Sequence, residues 1–230
     1  LEVQSIMEGL PERLQGVTGR IVAAARAAGR DPAEIRLVAV SKTFAPDAVR
    51  ELASTGHRDF GENYLQEALD KIGALADLPL TWHFIGPIQS NKTRAIAEHF
   101  HWVHSVDRLK IAERLSAQRP PGLPALEICL QVNVSGEASK SGVAPDEVAA
   151  LAAAVMQLPR LRLRGLMAIP EPTDDIPLQR ERFRRLRESR DAIGLPLDTL
   201  SMGMSDDLES AVAEGATILR VGRAIFGARG

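Results

Sequence analysis

"RLVAVSKTFAPDAVRELA", residues 36–53, joins a short apolar run, a polar break containing a lysine, and a segment of helical period. The run from Arg36 to Val40 is rich in valine and too short for a stable helix, so it reads as a buried strand. Pro46 and Asp47 then give the start signals of a helix that continues through "AVRELA".

This unit recurs along the chain. Further strands are expected at "RDFGE", "TWHFIG", "WVHSV", "LEICLQVNV", "LRLRGLMAI", "DTLSMG" and "TILRVG". Helical segments between them start near Ser90-Asn91, Asp107, Pro145-Asp146 and Ser205. An opening helix is expected from Ile6 to Ala28, ended by Gly29 and the Asp31-Pro32 turn. Alternation of this kind argues for parallel strands joined by helical crossovers. Eight units in 230 residues predict an α/β protein made of a single (β/α)8 TIM barrel spanning 1–230. A doubly wound open sheet is the alternative. No G-x-G-x-x-G turn follows the first strand and no G-x-x-x-x-G-K-[ST] occurs, so dinucleotide and P-loop readings lose their main support. The proline-rich stretches at 119–124 and 169–177 read as loops within the alternation.

Composition excludes little but points one way. A net charge of -2 gives no broad electrostatic reason to bind nucleic acid or an anionic membrane. No apolar run approaches the roughly 18 residues of a membrane span, and no signal sequence opens the chain, so a soluble cytoplasmic protein is expected. The single cysteine, Cys129, cannot form an intramolecular disulfide and reads as packed core.

In such a barrel the chemistry lies at the C-terminal ends of the strands. The polar residues there are Ser41 to Thr43, Glu62 to Tyr64, Gly86 to Asn91, Ser105, Asn133, Met167, Ser205, Gly222 and Arg223. Lys42 stands out: beside an apolar strand its amine loses hydration, which favours the neutral nucleophile and imine formation. A surface lysine with a buried stem, or a partner for phosphate or carboxylate, is the alternative. Ser205, between the seventh strand and its helix, is expected to cap that helix and face an anion. Gly222, after the eighth strand, allows close backbone approach to a ligand. Loops after strands seven and eight often bind phosphate in this fold. A lysine on strand one and a phosphate cradle on strands seven and eight suit a phosphorylated aldehyde such as pyridoxal phosphate, with Arg220 facing its ring nitrogen.

The segments "LVAVSKT", "FGENYLQE", "WHFIGPIQSNK", "VNVSGEASKSG", "RGLMAIP", "LSMGMSDDLESAV" and "LRVGRAIFGAR" run through nearly the whole chain, which strongly resembles the YggS/PROSC family of pyridoxal phosphate homeostasis proteins. The resemblance implies a PLP fold type III barrel like the N-terminal domain of alanine racemase. It implies Lys42 as the Schiff-base residue, Asn63 beside the cofactor, Ser205 and Gly222 at the phosphate, and Met204 and Arg223 among the cofactor-binding residues. Arg220 matches the arginine facing the pyridine ring. The sequence departs from many relatives at Arg223, where a small residue is common. The family is thought to bind, buffer and deliver pyridoxal 5'-phosphate to apo-enzymes without established turnover, so no catalytic residue is assigned. The chain stops at Gly230, leading to the expectation that no racemase-type β domain accompanies the barrel, and that it acts as a monomer. A small racemase using Tyr64 as acid/base, and a cofactor-free aldolase using Lys42 directly, are the rival readings. Tyr64 is otherwise expected to pack at the barrel mouth. No metal site is expected: the histidines at 83, 99, 101 and 104 read as ordinary hydrogen-bonded residues, and "RERFRRLRESR" as a solvated helix.

Overall fold

Residues 9–136 and 141–228 are described by a computed structural model. The first helix, α1 (Leu10–Ala27), buries Leu14, Val17, Ile21 and Ala25, one stripe at helical spacing. It starts later than expected. Gly9 has extended backbone and ends the helix on that side, while residues 6–8 lie outside the described range.

All eight expected strands form: β1 (Arg36–Val40), β2 (Asp59–Glu62), β3 (Thr81–Phe84), β4 (Trp102–Val106), β5 (Leu126–Gln131), β6 (Leu161–Met167), β7 (Thr199–Ser201) and β8 (Ile218–Val221). They pair in sequence order, in parallel, as a closed barrel. Closure pairs β1 with β8, setting Val38 opposite Arg220 and Ala39 opposite Val221. Several strands end short of the apolar runs that announced them; β5 stops at Gln131, and Val132 makes only an isolated bridge to Val143. The helices outside are α2 (Pro46–Ser54), α3 (Leu65–Ala74), α4 (Thr93–His99), α5 (Leu109–Gln118), α6 (Val148–Val155), α7 (Ile176–Ile193), α8 (Leu208–Ala213) and the single turn α9 (Arg223–Phe226). Among the described residues, no helix is long and apolar enough to cross a membrane.

Two cores result. The larger lies between the strands and the surrounding helices, where residues such as Leu52, Phe60, Ile111 and Phe183 are fully buried. A smaller one fills the barrel itself with Val38, Trp102, Cys129, Met167 and Ile218. Cys129 is packed as expected, and burial pushes its thiol up to about 12. Helix α7 buries Phe183 and Leu186, while Arg180, Arg184 and Arg187 pair with the buried Glu214 of the α8–β8 turn.

The barrel interior also holds His83 and His104, both fully buried, with their rings bonded at 2.9 Å. Burial lowers both from the ordinary imidazole value, His104 the more strongly, and Arg36, Arg220 and His101 add opposing positive charge; only Asp59 favours protonation, at His83. Burial lowers His57 and His101 as well. The fully buried His83 and His104 rings are therefore held neutral in the folded protein, while each unfolded ring protonates near pH 6.5. Stability is complete above that pH and falls below it, by about 1.4 kcal/mol per pH unit for each such ring. Burial raises Glu62 and Asp207, which act in the opposite sense, against the two fully buried rings and the lesser contributions of His57 and His101. The urea midpoint is expected to drop between pH 7.5 and 5.5; an unchanged midpoint would contradict neutral buried rings.

Candidate functional site

A cavity of about 430 Å³ opens at the C-terminal mouth of the barrel, within the range of small-molecule sites. Its wall includes Lys42 and Asn63 from the loops after β1 and β2, and Met204, Ser205, Arg220, Gly222 and Arg223 from the ends of β7 and β8, the latter closing against β1. These are the seven residues singled out from the sequence, and the structure brings all of them to one place. Sequence reasoning missed Ile85, Ile169, Pro170, Asp174, Gln179 of α7 and the acids Asp206 and Asp207, which add to the lining. Asp206 and Asp207 follow Ser205 directly, so position after β7 was the available signal.

The Lys42 loop rests on a buried polar pedestal. Lys71 of α3 donates to the Glu62 carboxylate at 2.6 Å and to the Ser41 carbonyl at 2.7 Å, and pairs with Glu67 at 3.0 Å. Glu62 also accepts from the Ser41 hydroxyl at 2.7 Å, and Glu67 from the Thr43 backbone N–H at 2.6 Å. Both neighbours of Lys42 are thus tied to the same charged group. Thr43 has φ 70°, a left-handed conformation that a β-branched residue adopts only when its surroundings impose it. Phe44 stacks on Phe226 with ring centroids 4.9 Å apart, joining this loop to the one after β8.

Asn63 is held by the next strand. A Cβ at Gly86 would overlap the Asn63 carbonyl, so this close approach needs glycine. The Asn63 Oδ1 is buried with no hydrogen-bond partner. A buried acceptor left this way suits a ligand donor.

In the loop after β7, Ser205 does not cap its own helix. Helix α8 begins only at Leu208, and the Ser205 hydroxyl accepts instead from the Ala224 backbone N–H at 3.2 Å, linking the loops after β7 and β8. The residue is where expected and its partner is not. Gly222 also lies close to the first strand: a Cβ there would come within 3.3 Å of the Val40 carbonyl, a tight contact that the glycine avoids. Arg223, exposed, forms an ion pair with Asp206 and offsets one of the acids at the cavity edge. Burial raises the Asp207 carboxyl, whose oxygen accepts from the Met204 N–H at 2.7 Å.

Arg220 is 2% exposed and donates to the Ser201 hydroxyl at 2.6 Å and to the Ala168 carbonyl at 2.9 Å. Burial lowers it to about 10, which leaves it a cation at neutral pH. Other polar residues near the strand ends serve elsewhere. Ser105 donates to the Gly86 carbonyl, and Met167 lies in the barrel interior. Asn133 accepts from the Gly136 N–H, and the rest of its "VNVSGEASKSG" stretch falls partly outside the described residues. Tyr64 does not pack as expected: it is 53% exposed and does not line the cavity.

Comparison with known proteins agrees with this architecture. The family model described as "Alanine racemase, N-terminal domain" matches residues 14–230. The chain is 68% identical over 223 residues to the pyridoxal phosphate homeostasis protein of Pseudomonas aeruginosa, covering 97% of each. It is 51% identical over 229 residues to that of Escherichia coli, covering 97% of this chain and 98% of the relative. Among solved structures, PipY of Synechococcus elongatus with PLP bound superposes with a TM-score of 0.84 at 38% identity, covering 95% of this chain and all of that one.

Proposed function

Since this chain belongs to the pyridoxal phosphate homeostasis protein family, built on the alanine racemase N-terminal barrel, we propose that it holds pyridoxal 5'-phosphate as a Schiff base on Lys42 and releases it to apo-enzymes. The reading includes a monomeric cytoplasmic carrier formed by one barrel domain. The observation that supports it most is the shared cavity, lined by the lysine of the β1 loop, by Ser205 and Gly222 of the β7 and β8 loops, and by the buried Arg220.

The residues fit the group. When bound, pyridoxal phosphate supplies an aldehyde for an amine and a ring that draws electrons. Lys42 offers the amine. The Ser205 hydroxyl, which accepts from Ala224 and keeps its own hydrogen, and the Arg223 backbone N–H offer phosphate donors, and the unpartnered Asn63 oxygen can accept from a ligand hydroxyl. Arg220 has only N–H donors to present, so opposite a ring nitrogen it keeps that nitrogen an acceptor and weakens the electron sink. Holding therefore outweighs turnover. A two-base racemase also needs a second acid/base on the other face, and Tyr64 stands outside the cavity.

The test combines a visible spectrum and intact mass after borohydride with transfer to an apo PLP-dependent enzyme. A coloured protein, a single covalent adduct and reactivation of the recipient are expected. Robust steady-state racemisation by the pure protein would overturn the carrier reading. So would a colourless protein that borohydride couples to a sugar phosphate instead.

A further inference from the structure

Arg220 is the end of a continuous polar chain that crosses the barrel. Its Nη1 meets the Ser201 Oγ at 2.6 Å, and that oxygen meets His104 Nδ1 at 2.7 Å. His104 Nε2 meets His83 Nδ1 at 2.9 Å, and His83 Nε2 meets Asp59 Oδ1 at 2.8 Å. Five residues from β8, β7, β4, β3 and β2 thus join the cavity at the C-terminal mouth to Asp59 at the start of β2. Ser201, His83 and His104 are fully buried, and His83 stacks on Trp102, whose ring also carries the Arg36 and Arg164 guanidiniums.

The two ends fix the direction of every bond. A guanidinium can only donate, and an ionised carboxylate can only accept. Asp59 is held below the usual carboxylate range, His83 and Arg36 outweighing its burial. With Arg220 donating at one end, Ser201 passes its own proton to His104 Nδ1. His104 then donates from Nε2 to His83 Nδ1, and His83 donates from Nε2 to Asp59. Every donor finds an acceptor with both imidazoles neutral and both carrying hydrogen on Nε2. The reverse direction would require Asp59 to donate.

We infer that Asp59, His83, His104 and Ser201 form a one-directional hydrogen-bond chain that orients Arg220 and couples its charge to a carboxylate at the far end of the barrel. They are positioning residues: none lines the cavity, and each acts through the next. The effect on a bound cofactor rests on the reading of Arg220 given above, whereas the chain itself does not.

Imidazole nitrogen NMR of the cofactor-free protein at pH 7.5 is expected to find both rings neutral and protonated on Nε2. Either ring protonated on Nδ1, or charged, overturns the inference without any variant. Asp59→Asn keeps the size of the acceptor but adds a donor, so both directions become satisfiable. The Nδ1–H form is then expected to appear at His83 and His104 together, although the bonds of His104 are to His83 and Ser201. A change confined to His83 would mean a local contact and no chain. In wild-type protein loaded with pyridoxal phosphate, the absorbing species is expected to titrate a few tenths of a pH unit away from its position in Asp59→Asn and Ser201→Ala. An unmoved titration with intact loading removes the coupling to the cofactor. Failure of the wild-type protein to load at all counts against the proposed function and leaves the NMR result to judge the chain.

Discussion

Lys42→Ala protein is expected to keep its unmodified mass after exposure to pyridoxal phosphate and borohydride, while the wild-type chain gains one cofactor-derived adduct. The loss should be at least about tenfold, because removing the nucleophile removes the covalent step itself. Ser41 and Thr43 are anchored by Lys71, Glu62 and Glu67 through bonds that the substitution leaves in place. The barrel should therefore melt close to the wild-type temperature, which separates lost chemistry from lost folding. Lys42 is the lysine among the cavity residues, and Lys71 is committed to three oxygens in the pedestal. An undiminished adduct in the variant, or a wild-type adduct mapped by peptide analysis to another lysine, would remove Lys42 from its assigned role.

The barrel was legible because its strands are buried on both faces and so read as compact apolar runs, "RLVAV" and "TILRVG" among them. Strand order followed from alternation, and closure of β8 onto β1 set Lys42 near the β7 and β8 loops. Residues at strand ends were legible for the same reason. What could not be read was the pairing between distant loops. Ser205 looks like a helix cap because a serine before an acidic helical segment usually is one; its bond to Ala224 depends on where the β8 loop comes to rest. The histidine chain was hidden differently. His83 and His104 sit in the middle of apolar strands, a signal of burial, but their meeting depends on the β3–β4 register that sets His83 opposite Trp102. Lys71 was the least visible. In "LQEALDKIGA" it resembles any solvated helical lysine, and only the inward turn of α3 shows that it is 1% exposed.

That burial makes Lys71→Met the most destabilising single change expected outside the apolar core. The methionine keeps volume and stem but strands the Glu62 carboxylate, which is 0% exposed and loses the ammonium that meets it at 2.6 Å. Removing one partner of a buried pair costs about 3–5 kcal/mol, since the remaining charge has neither water nor counter-ion. For a chain of this size that corresponds to a melting temperature lower by roughly 10 °C. Pairing Lys71→Met with Glu62→Leu should recover much of the loss, because two apolar side chains of similar volume leave no charge to solvate. The pair nevertheless should not restore cofactor retention, for the Ser41 hydroxyl would lose Glu62 and the Ser41 carbonyl would lose Lys71, leaving the backbone before Lys42 with its bonds to Phe44 and Gly61. Stability recovered without retention would assign the pedestal to function. A single variant that melts within about 2 °C of wild type would show instead that water reaches Glu62, and that the lysine is not the group holding the loop.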